Sequence, residues 1–169
     1  MKKIFFFVAV ISFAIAMASF TANTKFSKST TTKTINDTIH FEGEKHFANI
    51  RQLTFGGDNA EAYFSFDGKY IVYQRTNTKE GILCDQIWMG KVPGPGEKFE
   101  PKLVSTGSGR TTCAYFYPDG KHILYGSTHL GSTDCPPVPD RSKHGNKYIW
   151  PIYESFDLFK ADTNGKIIK

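Results

Sequence analysis

Two twelve-residue stretches constrain what this chain folds into. Ala62–Tyr73 reads AYFSFDGKYIVY, Ala114–Tyr125 reads AYFYPDGKHILY, and eight of the twelve positions are identical. A repeat of this kind means that one supersecondary unit recurs, and that each copy needs neighbours to bury its apolar faces. Within a unit, Ala62-Tyr63-Phe64 reads as an aromatic strand and Tyr70-Ile71-Val72-Tyr73 as its return. Asp67-Gly68, repeated as Asp119-Gly120, lies between them. Asp-Gly between apolar runs signals a hairpin with a tight primed turn, which requires positive φ. The return strands are apolar at successive positions, so both faces of each sheet should be covered. Two units cannot cover each other completely.

A third strand follows each hairpin, Gln86-Ile87-Trp88-Met89 in the first unit and Asp157-Leu158-Phe159 in the second. Turn-rich segments come next, Pro93-Gly94-Pro95-Gly96 and Asp162-Thr163-Asn164-Gly165, and Lys102-Leu103-Val104 reads as a fourth strand. Ile50-Arg51-Gln52-Leu53-Thr54 is its counterpart before the first unit, inside a leading strand expected over His46–Thr54. Four short antiparallel strands in roughly 40–50 residues match the arithmetic of a β-propeller blade. The expected fold is all-β: four-stranded antiparallel blades forming an incomplete propeller of about two blades.

The phrase Gln52-Leu53-Thr54, then Ala62 to Lys69, then Gln86-Ile87-Trp88, resembles the TolB-like propeller repeat, whose core is an aromatic followed by Ser-Pro-Asp-Gly-Lys and a hydrophobic strand. Phe66 stands in place of the proline in the first copy and Tyr117 in place of the serine in the second. The resemblance covers Ile50 to Lys169. It implies a fold more strongly than an activity, because these repeats serve scaffolds and enzymes alike.

Residues 1–18 read as a secretory signal: Lys2 and Lys3, an apolar run from Ile4 to Ala16, and an Ala16-Met17-Ala18 cleavage site. Residues 19–45 are rich in Ser, Thr and Lys and read as a flexible leader. Residues 46–169 form the partial propeller, with repeat cores at 62–73 and 114–125 and a long proline-bearing insertion at 126–153. Because Ile168-Lys169 stands where Ile50-Arg51 stood, the chain reads as the N-terminal piece of a longer protein. The remaining blades would come from further sequence or from other copies. Removing Lys2 and Lys3 lowers the net charge from +5 to +3, with no basic cluster to serve nucleic acid. Location is expected to be periplasmic or secreted, with no membrane association once the signal is cleaved.

Connections in an up-and-down blade alternate between two faces. One face should gather Gly56–Ala60, Thr76–Leu83, Gly107–Thr112 and the insertion, and such loop-rich faces carry function. Asp58, Asn59, Glu61, Arg110 and His129 are its candidate binding residues. Cys84, Cys113 and Cys135 also fall there, and in an exported chain Cys135 is expected to pin its loop to Cys84 or to Cys113. No cofactor is called for, and no spacing of His, Cys, Asp or Glu matches a metal site. The chain lacks a G-x-S-x-G elbow, an H-E-x-x-H helix and a P-loop, so enzymatic activity stays open and no catalytic residue is assigned.

The TolB-like resemblance implies a protein-binding scaffold of the periplasm or envelope, with a protein or peptide partner at the propeller face. The alternative it leaves is the N-terminal propeller of an exported serine peptidase similar to prolyl oligopeptidase, whose catalytic domain would lie beyond Lys169. A metal-dependent lyase on such a ring is a third.

Overall fold

The computed structural model describes residues 41–47, 50–145 and 147–169. The secretory signal over 1–18 and the leader as far as residue 40 lie outside the described residues. Among those described, the chain is all-β, with two antiparallel sheets and only two short turns of 3-10 helix, Thr78–Glu80 and Arg141–His144. No helix among them is long and apolar enough to cross a membrane.

The first sheet runs in chain order through β1 (Asp58–Phe64), β2 (Tyr70–Asn77), β3 (Ile82–Lys91) and β4 (Lys102–Leu103). The second contains β5 (Thr111–Phe116), β6 (His122–Ser127) and β7 (Asp157–Asp162). Among the described residues it has three strands, without a counterpart of β4. Residues 166–169 instead run back along β7, with Ile168 donating to Lys160, Lys160 donating to Lys169, and a single bridge from Ala161 to Ile167. Consecutive strands pair throughout, so every connection within a sheet is a short hairpin except β3–β4 and β6–β7.

Both repeats turn at Asp-Gly, but not with the expected primed geometry. The Gly68 amide donates to the Ser65 carbonyl and the Gly120 amide to that of Tyr117. Only the glycine of each pair has positive φ, 68° at Gly68 and 63° at Gly120. The aspartates stay in ordinary backbone space and act through their carboxylates. Asp67 accepts from the Ser65 hydroxyl and the Lys69 amide, and Asp119 from the amides of Lys121 and His122. The loop is therefore a longer, carboxylate-braced turn.

The core lies between the sheets. Val72, Ile87, Met89 and Val104 meet Ala114, Phe116, Ile123, Tyr125, Phe159 and Ala161, and Tyr63 and Ile167 close its margins. β5 lies against β1, β2 and β3, and Tyr63 stacks on Tyr115 with ring centroids 4.2 Å apart. Polar side chains stitch one edge of this contact. The Ser105 hydroxyl receives the Ile87 amide and donates to Gln86, whose own amide donates to the Gly109 carbonyl at 2.7 Å. Buried amides and hydroxyls that are satisfied in this way fix the relative position of the two sheets.

Of the leading strand expected over His46–Thr54, the described residues show an isolated β-bridge at Arg51 and no longer strand. The Arg51 guanidinium donates to the carbonyls of Pro93 and Gly94 beyond β3. The insertion also starts and ends later than expected. β6 runs to Ser127 and β7 begins at Asp157, so the irregular connection spans 128–156.

Candidate functional site

The ends of β1, β2, β3 and β5 come together at one edge of the two sheets, beneath the 128–156 connection. Between them lies a cleft of about 690 Å³. Its floor is polar: Glu61, Gln74, Asp85, Arg110 and Thr112. Its far wall is apolar and aromatic, with Tyr148, Trp150 and Ile152 largely exposed.

At the floor, Asp85 and Arg110 are joined at 3.0 Å. Asp85 also accepts the Thr76 hydroxyl at 2.7 Å, and its backbone carbonyl accepts the Thr111 hydroxyl at 2.9 Å. The Arg110 backbone is held from both sides by Thr128: its amide donates to the Thr128 hydroxyl, and its carbonyl accepts the Thr128 amide. The guanidinium is therefore aimed into the cleft by fixed strand ends rather than by a free loop. Its Nε is buried without a hydrogen-bond partner among the described residues.

Glu61 sits beside this pair on a β1 bulge and accepts the Tyr63 hydroxyl. That hydrogen bond, with burial as a lesser cause, holds the Tyr63 phenol well above its ordinary range, so it stays a neutral donor. Gln74 is spoken for: its side-chain carbonyl accepts the Cys113 amide and the Thr112 hydroxyl.

The cleft wall is tethered at Cys135, which is disulfide-bonded to Cys84 on β3. Nearby, the Gly109 amide donates to the Thr133 carbonyl at 2.8 Å. Gly109 has φ 62°, and a Cβ there would stand 2.8 Å from the His129 backbone nitrogen. Only glycine lets the two connections approach this closely. Farther along, Arg141 lies over the Tyr148 ring at 4.9 Å, and the Tyr153 hydroxyl donates to the Pro137 carbonyl. Asp140 accepts the Ser142 amide and caps the short helical turn.

Of the residues singled out from sequence, Glu61 and Arg110 line the cleft together. Asp58 and Asn59 lie at the exposed start of β1, opposite Thr76 and Arg75, and do not line it. His129 is turned the other way, packed on the Phe159 ring at 4.2 Å with its Nδ1 2.9 Å from the Ser127 hydroxyl. That Ser–His pair has the reach of a nucleophile and base, but Ser127 is fully buried, so the contact orients the ring rather than serving a substrate. Cys113 lies within β5 rather than at its start, and its thiol is exposed and free. Sequence reasoning passed over Asp85, the floor's central carboxylate. Its signal was the one acid in the stretch Ile82–Gly90, whose other residues are apolar except Gln86, next to a cysteine. Among the described residues, no three His, Cys, Asp or Glu side chains are grouped so as to hold a metal ion.

No protein-family model, curated protein or solved structure matches the chain.

Proposed function

We propose that the chain is part of an exported TolB-like β-propeller, a protein-binding scaffold of the periplasm or cell envelope, whose loop-rich edge takes a peptide segment of a partner. The two sheets would be successive blades. Support comes from the 52-residue repeat, from the four-strand order of the first sheet and from the stacking of repeat-equivalent Tyr63 and Tyr115. β1 and β5 would then be the innermost strands.

The observation that carries the binding role is the two-sided cleft. A fixed Asp85–Arg110 pair and Glu61 face exposed Tyr148 and Trp150 across it. Aromatic anchors beside a few oriented polar groups are what peptide recognition uses: rings supply contact area at little entropic cost, and the polar groups set register.

Selection of a displayed random-peptide library on the chain tests this. Enriched peptides should change the emission of Trp150, and Trp150→Ala should weaken them roughly tenfold or more, as expected of a buried aromatic anchor. Arg110→Ala should do the same. Peptides that bind both variants as tightly as the parent chain would remove the cleft from consideration.

A further inference from the structure

The connection that carries the cleft's aromatic wall is fastened to the sheets at one covalent point. Thr133 accepts the Gly109 amide through its carbonyl, but none of the hydrogen bonds that 134–156 make among the described residues reaches a strand. They stay within the connection: Asp134 to Ser132, Ser142 to Asp140, Tyr153 to Pro137. Tyr148, Trp150 and Ile152 are 75%, 65% and 95% exposed, so little packing holds them either. The Cys84–Cys135 bond, which joins this stretch to β3, therefore carries the restraint.

The two sulfurs stand in different surroundings. Cys84 is 2% exposed, with its Sγ 3.1 Å from the Gly109 carbonyl oxygen. Cys135 is exposed, on a connection that leaves β6 and joins β7 at strand ends. Stacking of sheets face to face buries strand faces, not such a connection. Access decides which sulfur a thiolate attacks, so Cys135 is the electrophile and Cys84 the leaving group. Once protonated, the Cys84 thiol has the Gly109 carbonyl in place as its acceptor, a weak bond that needs no rearrangement. The contact between the sheets does not depend on the disulfide. Its apolar core and the Ser105–Gln86–Gly109 chain of hydrogen bonds contain neither cysteine.

We propose that Cys84–Cys135 is a redox latch on the cleft: an external thiol, glutathione or a dithiol protein, opens it, the wall comes free, and the sheets stay folded. In the first step the external thiolate bonds to Cys135 Sγ and the Cys84–Cys135 bond breaks. Cys84 leaves with the electron pair and takes a proton from water. A second external thiolate then attacks the external sulfur of the mixed disulfide and releases Cys135, which is protonated in turn. The protein gains two electrons and two protons, and two external thiols become one disulfide. The reverse exchange closes the latch. Its control of ligand access rests on the peptide-binding reading; the latch itself does not.

Brief treatment of the folded Cys113→Ser chain with reduced glutathione, followed by alkylation and peptide mapping, tests the route. Glutathione should sit on Cys135 and the alkyl group on Cys84. After full reduction below the unfolding temperature, circular dichroism should be unchanged. The emission anisotropy of Trp150, read in a Trp88→Phe background, should fall and should recover on reoxidation. Trypsin cleavage after Arg141 and Lys143 should quicken in the parent chain as well. Peptides selected on the oxidised chain should bind the reduced one at least tenfold more weakly. Glutathione on Cys84, a bond that opens only on unfolding, loss of the sheets on reduction, or anisotropy and cleavage that reduction leaves unchanged each overturn the latch. Peptides that bind both forms equally overturn its control of the cleft, whereas a chain that binds no peptide overturns the binding reading alone.

Discussion

Glu61 and Cys113 adopt the same unusual backbone conformation at the same place in the two sheets. They are the only non-glycine residues with positive φ among the described residues, at 49° and 38°. Each precedes the Ala-Tyr-Phe of its repeat, and each lies where the first strand carries one residue more than its partner. The bulge is thus a conserved feature of the unit's geometry rather than of its side chains, since an acid fills it once and a thiol once. Bulges re-aim side chains at strand edges, and this one turns Glu61 toward the cleft.

The left-handed conformation costs an L-residue about 1 kcal/mol or more, and most of all a β-branched one. Cys113 is exposed and outside the disulfide, so changing it isolates that cost. Cys113→Gly should leave the chain at least as stable as the parent, offset in part by glycine's greater freedom when unfolded. Cys113→Val should lower stability by about 1–2 kcal/mol. Urea unfolding of the two variants checks the order.

Gln74 spans the two sheets by receiving the Cys113 amide. Gln74→Leu fits the space but leaves that part-buried amide without its acceptor and the Thr112 hydroxyl with only the Cys113 sulfur. The expected loss is about 1–2 kcal/mol, since an unmet donor away from free solvent costs more than a hydrogen bond contributes. Gln74→Glu keeps an acceptor and should recover part of it, again read by urea unfolding.

The turn carboxylates give the fold an acid limit. Asp67 is held at about 2, below its ordinary 3.8, chiefly by the Ser65 hydroxyl and then by the Lys69 amide. Asp119 is lowered chiefly by its hydrogen bond with His122. A depressed carboxylate favours the folded state above its unfolded value, and that contribution disappears as pH falls through the folded one. Stability should therefore hold above about pH 4 and decline toward pH 2. Asp67→Asn keeps an acceptor without the charge, so the gap between parent and variant should narrow across that window. Denaturant midpoints at pH 5, 3 and 2 measure it.

The hairpins were legible in the sequence because they are local: Asp-Gly marks each turn between an aromatic strand and an apolar return. Gln86, Ile87 and Trp88 were placed on a strand for the same reason. The failures are non-local. His46–Thr54 has strand-like residues, but whether it pairs depends on an edge elsewhere. The bulges at Glu61 and Cys113 were hidden because neither residue type favours positive φ. Asp85 was missed because its value as a floor group appears only when Arg110, 25 residues later, arrives beside it.

Cysteine connectivity is of the same non-local kind, and it sets the last prediction. Cys113 and Cys84 were equal candidates by sequence, but Cys84 stands at the loop-rich end of β3, beside the Gly107–Gly109 turn and Thr133–Asp134, while Cys113 is carried within β5. The bond closes a separation of 51 residues. On the chain-entropy account such a loop stabilises the fold by about 4 kcal/mol, less any strain. Peptide mapping without reductant should recover Cys84 linked to Cys135 and Cys113 alone alkylated. Reduction should then lower the melting temperature and speed proteolysis within 136–145, where few hydrogen bonds among the described residues tie the wall to the sheets. Cys84→Ser should reproduce both effects in the absence of reductant, and Cys113→Ser neither. A Cys113–Cys135 peptide in the map, or a melting temperature indifferent to reductant, would mean that the cleft's aromatic wall is held by something other than this bond.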